Sequence, residues 1–398
     1  MNVVVIEDLA ALQQHVPAWE GLAAATIEPN VFYEPWLLLP ALRTLCEGRD
    51  ILVALVFQTN PSRPKDVPML CGLFPLERRR RYKGIPVKVL SLLEHRYCFI
   101  CTPLLRTGHG REALAAFFEW ARSDPQGGAL VELKKIPAEG RVYQLLVDHM
   151  HSGEYLSFVS ELYTRAFLHL SKDAEKYLQS AISTKHRGDL RRREKHLRER
   201  GALEYVTLGP GDDAEAWANA FLTLEAAGWK GQEGTAMACR ESDRLFFLEM
   251  AKEAFRRGRL LMFGTRLDGR PIALNCYLRA EAGCYFFKPA YDEAFAASAP
   301  GKLLEVETIR RLHALPGIEW MDSCTSPENE MLNKLWQNRR TITTVIASTG
   351  RSPGDLMVSL SPLFRWLNRR LSRRGSVKPI RSAEGAKATV FSPDYAIE

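Results

Sequence analysis

The segment from Lys288 to Leu304 combines residue types that bind anions with residue types that move protons. Its second part, "SAPGK", separates a polar stretch from an apolar helical pattern. Glycine lets a backbone approach a ligand closely, and the free N–H groups of a helix's first turn attract anions. We therefore expect a phosphate-binding turn, formed by Ser298, Pro300, Gly301, Lys302 and Leu303.

This turn does not match the phosphate-binding loop of ATP- and GTP-binding proteins. That loop needs a first glycine where Ala296 stands, and a Ser or Thr for magnesium where Leu303 stands. The sequence also contains no G-x-G-x-x-G or H-E-x-x-H pattern, which disfavours dinucleotide binding and the zinc-dependent hydrolase mechanism. An ordinary strand-to-helix turn without a ligand is the alternative.

The cysteines predict no metal or redox site. Of the eight, Cys98 and Cys101 form a CxxC pair, "CFIC", with apolar residues between them and no second pair. A zinc site needs four ligands at matched spacings, so we expect this pair to pack in the core of a predicted strand. Reduced thiols are typical of a cytoplasmic protein.

Length and composition indicate a soluble globular protein with two or three domains. The chain has 398 residues, of which 46% are hydrophobic and 25% charged. No apolar run reaches the roughly 20 residues of a membrane helix, and the N-terminus lacks the basic start of a signal peptide. The formal net charge of +7 comes from two basic elements, 185–200 and 351–398.

The predicted elements occur in the same order in both halves. In the second half, three antiparallel strands over 259–291, with a hairpin turn at Asp268-Gly269, precede the phosphate turn. A helix to Leu315, a strand over 317–323, a helix over 326–340 with Ser326 as its N-cap, and a last strand over 341–349 follow.

The first half repeats this order. Four strands between 51 and 105, including one over 97–105, precede a helix over 111–123 and a further strand over 127–136. Gly108-His109-Gly110 stands where Ser298–Gly301 stands in the second half. The repeat predicts an α/β (α+β) fold built from two copies of one unit, each a mixed, mainly antiparallel sheet flanked by helices.

Three segments resemble one known family. "AAGWKGQEGTA" (226–236), "YFFKPAYDEAFAASAPGKLLEVETIRRL" (285–312) and "WMDSCTSPENEMLNKLW" (320–336) are similar to the CelD-like or BioF2-like branch of the GNAT N-acyltransferases. The first half resembles the degenerate partner domain of the related Fem-type transferases. The resemblance implies tandem GNAT-like domains, with a degenerate domain over 1–165, a basic linker helix over 166–201, an acyltransferase domain over 202–350 and a basic tail over 351–398.

The resemblance also implies the roles of the opening segment. The phosphate turn would hold the pyrophosphate of coenzyme A, or the phosphopantetheine of an acyl carrier protein, with Phe287 beside the donor. Asp292 is the first candidate for the base that takes the amine's proton, and Asp322 is the second. Tyr291 can protonate the leaving thiolate, and Lys288 can hold an anionic group of the acceptor. Solvated turn residues or structural ion pairs are the alternatives.

Three further elements suggest binding surfaces. Trp229 and Lys230 lie in a glycine-rich loop and suit a sugar ring or an anionic head group, although Trp229 could equally anchor domain packing. The helix over 185–200 is either a solvated linker or a docking site for an acidic acyl carrier protein. The segment 361–375 suits an anionic membrane surface or packing on its own domain.

The resulting hypothesis is a cytoplasmic, peripherally membrane-bound N-acyltransferase. It would use acyl-CoA or an acyl carrier protein to acylate the amine of an envelope precursor, either an exopolysaccharide amino sugar or an amino lipid such as a sphingoid base. The alternatives are a catalytically inactive binding or regulatory protein of the same fold, and aminoacyl transfer from tRNA. The latter would need nucleic-acid binding, which a single basic helix disfavours.

Overall fold

The computed structural model describes residues 1–59, 68–153, 155–171 and 173–361. Residues Met1–Val358 form one compact unit. The predicted amphipathic segment 361–375 falls outside the described residues from position 362 on, as does the rest of the tail. No helix in the described ranges is both long enough and apolar enough to cross a bilayer.

The described residues form the following elements. The strands are β1 (Asn2–Ile6), β2 (Ile51–Gln58), β3 (Met69–Arg79), β4 (Val89–Leu92), β5 (Leu104–Leu105), β6 (Leu130–Pro137), β7 (Ser157–His169), β8 (Leu203–Thr207), β9 (Leu260–Leu267), β10 (Arg270–Ala280), β11 (Gly283–Tyr291), β12 (Trp320–Asp322) and β13 (Asn338–Ser348). The helices are α1 (Leu9–Gln13), α2 (Val16–Ala23), α3 (Pro35–Thr44), α4 (Gly110–Ser123), α5 (Arg141–Ser152), α6 (Ala174–Ala181), α7 (Thr184–Arg200), α8 (Ala214–Ala227), α9 (Trp229–Gln232), α10 (Glu241–Arg256), α11 (Pro300–Ala314), α12 (Glu330–Leu335) and α13 (Ser352–Ser359).

The strands join into one mixed sheet, in the order β1-β2-β3-β4-β6-β13-β7-β12-β11-β10-β9-β8, with β5 paired to β3. Two neighbouring pairs are parallel, β4 with β6 and β11 with β12. A parallel pair needs a crossover connection, and here α4 and α11 supply it at matching positions of the two halves. This arrangement confirms the predicted tandem α/β fold.

The two halves exchange their last strands. β7, from the first half, pairs with β12 of the second, while β13, from the second half, pairs with β6 of the first. The exchanged strands pair with each other antiparallel, from Asn338 opposite Phe167 to Ala347 opposite Ser157. The repeats therefore share a continuous sheet. The predicted domain limits stay a prediction.

Alternating residues of the second half's sheet lie in two separate cores. Leu274, Cys276 and Leu278 pack with residues of α8 and α10, whereas Ala273 and Tyr277 pack with residues of α7 and α11. This alternation is the period of a strand that is covered on both faces. The second half thus has an α8–α10 face and an α7–α11 face, and these two names are kept below.

Several local predictions are confirmed. The hairpin turn has positive φ at both central residues, 50° at Asp268 and 77° at Gly269, as a type I′ turn requires. The basic helix is present as α7, capped by the Ser183 side chain, which accepts a hydrogen bond from the His186 N–H. Its apolar stripe is narrow, with Leu190 and Leu197 buried.

Two element predictions are wrong. The helix predicted over 326–340 is only α12, because the Asn329 side chain, not Ser326, caps it and the chain is extended at Trp336 before joining β13. The strand predicted over 97–105 is only β5. Its buried backbone carbonyls at Ile100 and Thr102 instead accept hydrogen bonds from the Asn30 side chain, so no ladder is needed there.

Candidate functional site

The strands β11 and β12 separate at the centre of the second half. They pair over Gly283–Tyr285 and Trp320–Asp322, and there β12 ends. β11 continues to Tyr291 and pairs only with β10 over this length. The β12-facing edge of residues 286–291 is therefore left without a strand partner in the described chain, and its backbone groups are available to a ligand.

A β-bulge lies on this unpaired stretch. β10 pairs Tyr277 with Phe286 but Cys276 with Lys288, so Phe287 is the extra residue of β11. Phe286 lies on the α7–α11 face, 4.8 Å from the Tyr277 ring. Phe287 and Lys288 both contact the Tyr97 ring on the opposite face. The bulge thus puts an apolar side chain and a cation side by side, next to the open edge.

The predicted phosphate turn lies between β11 and α11. Ala299 adopts the left-handed conformation (φ 49°, ψ 53°), and α11 begins at Pro300 with no side chain capping it. The Ala299 carbonyl accepts from the N–H groups of Lys302 and Leu303, while no described residue accepts from the Gly301 N–H. This helix N-terminus has the free N–H and the dipole that an anion requires.

The other residues of the predicted turn surround that N–H. Ser298 and Leu303 are buried, so they shape the turn without contacting solvent. The Tyr291 ring lies beside Gly301, where an added Cβ would be 3.7 Å from Tyr291 Cδ1. Tyr291 itself is exposed at the end of β11. The structure therefore brings the predicted turn and Tyr291 together at the end of the open edge.

A cationic cavity of about 220 Å³ adjoins the turn. Its lining comprises Ala181, Ile182, Ser183, His186, Lys302, Lys334 and Leu335. Lys302 Nζ lies 2.5 Å from His186 Nε2. Burial and then Lys302 lower the pKa of His186, and burial and then Lys334 lower the pKa of Lys302. A neutral His186 accepting a hydrogen bond from Lys302 leaves a positively charged cavity suited to an anion.

On the opposite face, two predicted site residues share one buried carboxylate. Glu225 of α8 is 1% exposed at its side chain, and its Oε1 contacts Lys288 Nζ and, at 3.4 Å, Lys230 Nζ. Its Oε2 accepts from the Met237 N–H at 2.9 Å. Burial, followed by the charge of Lys288, lowers the pKa of Lys230. The triad of Glu225, Lys230 and Lys288 carries a formal charge of +1.

Trp229 and Lys230 point in different directions. They form the start of the short helix α9 rather than an irregular loop. The Trp229 side chain is exposed, whereas the backbone N–H of Trp229 donates to Glu293 Oε1 at 2.5 Å. Lys230 turns inward, and its Nζ also donates to the Pro289 carbonyl at 3.4 Å. Lys230 therefore belongs to the triad, whereas Trp229 lies at its outer rim.

Asp292 lies where β11 ends. Its Oδ1 accepts from the Ala294 N–H and caps the 3₁₀-helix Glu293–Ser298, and its Oδ2 accepts from Arg270 at 3.0 Å. Both oxygens are thus engaged, although Arg270 is itself well exposed and can move away. The assignment of Asp292 as the base stays a prediction.

Asp322, the second candidate base, is fully buried between two arginines. Arg165 Nε lies 2.7 Å from its Oδ1, and Arg340 Nη1 lies 2.9 Å from its Oδ2. Burial alone would raise the pKa of Asp322, but the two guanidinium groups lower it below its ordinary value. Asp322 thus ties β7, β12 and β13 together at the point where β11 and β12 separate, and we propose no proton transfer by it.

The sequence analysis missed the first half's contribution to the site. The Lys288 ammonium group lies over the face of the Tyr97 ring, with Nζ 5.7 Å from the ring centroid. Asp243 of α10 holds Tyr97 in place, because its Oδ2 accepts from the Tyr97 hydroxyl at 2.9 Å and from Arg96 at 2.6 Å. The first half thus closes one side of the triad.

One sequence signal could have identified Glu225. It falls on the apolar face of α8, four residues after Phe221 and three after Leu222, both of which are buried. A carboxylate at a core position of an amphipathic helix needs a partner, and the lysines of the predicted site were available. The signals for Tyr97 and Asp243 are weaker, because their contact joins residues 146 positions apart.

The CxxC pair Cys98 and Cys101 lies in the core of the described chain. Cys98 Sγ and Cys101 Sγ lie 3.7 Å apart and both are buried. Burial raises the pKa of the Cys98 thiol, which keeps it protonated. No group of three or more His, Cys, Asp or Glu side chains in the described ranges is arranged to hold a metal ion.

Comparison with known proteins agrees with this geometry. Residues 184–330 match the family model for an acetyltransferase (GNAT) domain. The crystal structure of FemX superposes with a TM-score of 0.55 at 9% sequence identity, covering 87% of this chain and 97% of that one. A conserved protein of unknown function from Bacteroides thetaiotaomicron VPI-5482 superposes with a TM-score of 0.51 at 12% identity, covering 84% and 97%. No curated protein sequence matches.

The matched region begins at α7 and ends at the start of α12, so it contains the open edge of β11, the phosphate turn and the triad. The two structural neighbours extend the likeness to the whole fold, including the first half. The sequence match identifies residues 184–330 as a GNAT acetyltransferase domain, and the two structural neighbours show only the fold of the whole chain.

Proposed function

We propose that the protein is an N-acyltransferase that transfers an acyl group from a thioester donor to the amine of a cell-envelope precursor. The observation that carries the proposal is the separation of β11 from β12, with a bulge at Phe287 beside it. It leaves an open backbone edge with an anion-binding helix N-terminus on one side and a buried, charged triad on the other.

The α7–α11 face suits the donor. The Gly301 N–H and Lys302 would bind the phosphate groups of coenzyme A or of a carrier protein's phosphopantetheine. The thioester would then lie along the open edge of β11. Backbone N–H groups at such an edge can stabilise the oxyanion that forms when an amine attacks the carbonyl.

The α8–α10 face suits the acceptor. The amine nitrogen attacks the thioester carbonyl carbon, the C–S bond breaks, and an amide and a thiol are formed. Lys230 is our candidate for the base that takes the proton from the amine nitrogen. Its pKa is lower than that of an ordinary lysine, so Lys230 loses its own proton more easily and can then accept another. We prefer it to Asp292, whose oxygens are both engaged. Tyr291 remains the candidate that protonates the thiolate.

The charge of the triad bears on the acceptor's chemistry. While Lys230 is protonated, the triad has a formal charge of +1 and favours an acceptor that carries a phosphate or carboxylate near its amine. An amino sugar of an exopolysaccharide precursor and an amino lipid such as a sphingoid base, which would yield a ceramide-type amide, are the two acceptor classes. A cytoplasmic enzyme at the inner membrane surface would have access to both.

Thiol release from a panel of acyl donors with a panel of amines tests the proposal. Acetyl-CoA, long-chain acyl-CoA and acyl carrier protein would each be offered with amino sugars and long-chain amines, and amide products identified by mass spectrometry. We expect amine-dependent thiol release with at least one pair, abolished in Lys288→Met and unchanged in Lys252→Met, which alters an exposed residue of α10. Absence of amine-dependent release with every donor would refute the proposal.

A further inference from the structure

The basic helix α7 lies directly against the phosphate turn. Arg193 donates to the Ala297 carbonyl, His186 contacts Lys302, and the Arg200 guanidinium lies 4.7 Å from the Phe295 ring centroid. These contacts fix one side of α7 to the 3₁₀-helix Glu293–Ser298 and to the start of α11. The helix is therefore a wall of the donor site and not only a linker between the halves.

The other side of α7 is an exposed basic surface. The helix carries eight Lys and Arg against three acids over 17 residues, a formal charge of +5. Lys185, Arg191 and Lys195 are exposed, and none of them contacts the phosphate turn. Lys185 and Arg191 form no ion pair with any described residue, and the nearest carboxylate to Lys195 is Glu199 at 3.9 Å. We call these three residues the basic ridge.

We propose that the basic ridge docks an acidic acyl carrier protein, whose phosphopantetheine arm then enters the donor site beside Lys302. This inference rests on the proposed function. The basic ridge extends from Lys185 to Lys195 of α7, which is about 15 Å along the helix axis. Its cations lie outside the phosphate turn, and Lys185 and Arg191 form no ion pair with a described residue, so the ridge matches a protein surface of opposite charge.

The position of the ridge selects this partner over other polyanions. The turn that would bind the phosphate of the pantetheine arm is in contact with the same helix, so a carrier on the ridge is already next to the site that its arm must enter. RNA or an anionic membrane would meet the same charge but would deliver no thioester to that turn. The donor chemistry therefore favours the carrier.

Charge reversal of the basic ridge tests the proposal on the full chain. In Lys185→Glu/Arg191→Glu/Lys195→Glu, we expect kcat/KM with acyl carrier protein to fall at least about tenfold at low salt, because steering by the ridge is lost. The same acyl group on coenzyme A should be transferred at a rate within about twofold of the wild type. The loss should shrink at about 0.5 M salt, where exposed charges are screened.

A second triple variant controls for net charge. Lys88→Glu/Arg141→Glu/Lys252→Glu changes three exposed cations outside α7 by the same amount and should leave both donors unaffected. Equal losses with both donors, or no loss with the carrier, would overturn the inference. So would carrier binding that is unchanged while binding of tRNA or of anionic vesicles falls. If coenzyme A works and the carrier does not, only this inference fails; if neither donor works, the proposed function fails.

Discussion

The Lys288 ammonium contacts the Glu225 carboxylate across the packed interface of β11 and α8, one residue beyond the bulge at Phe287. Lys230 reaches the same carboxylate oxygen. Two cations thus share a single buried anion beside the open strand edge. One carboxylate cannot neutralise both cations, and burial followed by the charge of Lys288 lowers the pKa of Lys230.

The first prediction concerns the role of Lys230. Lys230→Arg keeps the positive charge but cannot lose a proton, whereas Lys230→Met removes both. If Lys230 is the base, both variants should lose about 100-fold or more in kcat. In the wild type, kcat should rise with pH as Lys230 deprotonates, along an acid limb centred below the usual pKa of lysine, and the limb should be missing in both variants.

The pH profile of kcat for the three proteins is the measurement. Arginine that restores activity would show that Lys230 contributes only its charge, for example by holding an anionic group of the acceptor. In that case Asp292→Asn should be the variant that loses activity.

The second prediction concerns the phosphate turn. Lys302→Met should raise KM for the acyl donor about tenfold with a smaller change in kcat, because a charge-assisted contact to phosphate contributes about 1 to 2 kcal/mol. His186 accepts a hydrogen bond from Lys302 in the wild type. In the variant, protonated His186 should partly replace Lys302 in binding the anion at low pH. An unchanged KM in Lys302→Met would place the donor's phosphates elsewhere.

Much of the α7–α11 face could be predicted from the sequence, because its signals are local. Asp268-Gly269 marks a hairpin and the "SAPGK" stretch marks a strand-to-helix turn, and each depends on a few adjacent residues. The strand over β11 follows in the same way. The order of predicted strands and helices is the same in both halves, and this repeat predicts the tandem fold.

The parts that could not be predicted depend on distant contacts. The exchange of β7 and β13 joins strands that are more than 150 residues apart, and nothing in either segment specifies its neighbour. The Tyr97 segment is as apolar as a strand, but its backbone carbonyls are satisfied by Asn30 instead of a ladder. Asp322 ends a strand, as a catalytic acid often does, yet the two arginines that enclose it come from the exchanged strands.

The third prediction separates structure from catalysis at Asp322. Asp322→Asn leaves two buried arginines without a counter-charge, so the free energy of unfolding should fall by about 3 to 5 kcal/mol. Asp292→Asn is the matched control, because asparagine also caps helices well and the position is partly exposed; its stability should change by less than about 1 kcal/mol. Urea unfolding of both variants is the measurement. A stable but inactive Asp322→Asn would restore Asp322 as a candidate base.

The fourth prediction concerns Glu305, a fully buried carboxyl group in the second turn of α11. Asn275 and Tyr277 of β10 donate to its Oε2 at 2.9 and 2.7 Å, and the Trp336 indole donates to its Oε1 at 3.2 Å. No cation pairs with it in the described part of the chain. Burial raises the pKa of Glu305 to about 7, and the three donors only partly offset this effect.

This raised pKa gives Glu305 a definite pH signature. The folded state holds the proton more tightly than the unfolded state, whose glutamate titrates near 4.5, so its contribution to stability is complete below pH 4.5 and is lost as pH rises through 7. Glu305→Gln cannot ionise and escapes that loss. Relative to the wild type, the variant should therefore gain roughly 2.5 kcal/mol in the free energy of unfolding between pH 5 and pH 8. Urea unfolding of both proteins at the two pH values measures this gain directly. An equal stability difference at both would mean that Glu305 keeps one protonation state throughout, and that the network of Asn275, Tyr277 and Trp336 compensates fully for the buried charge.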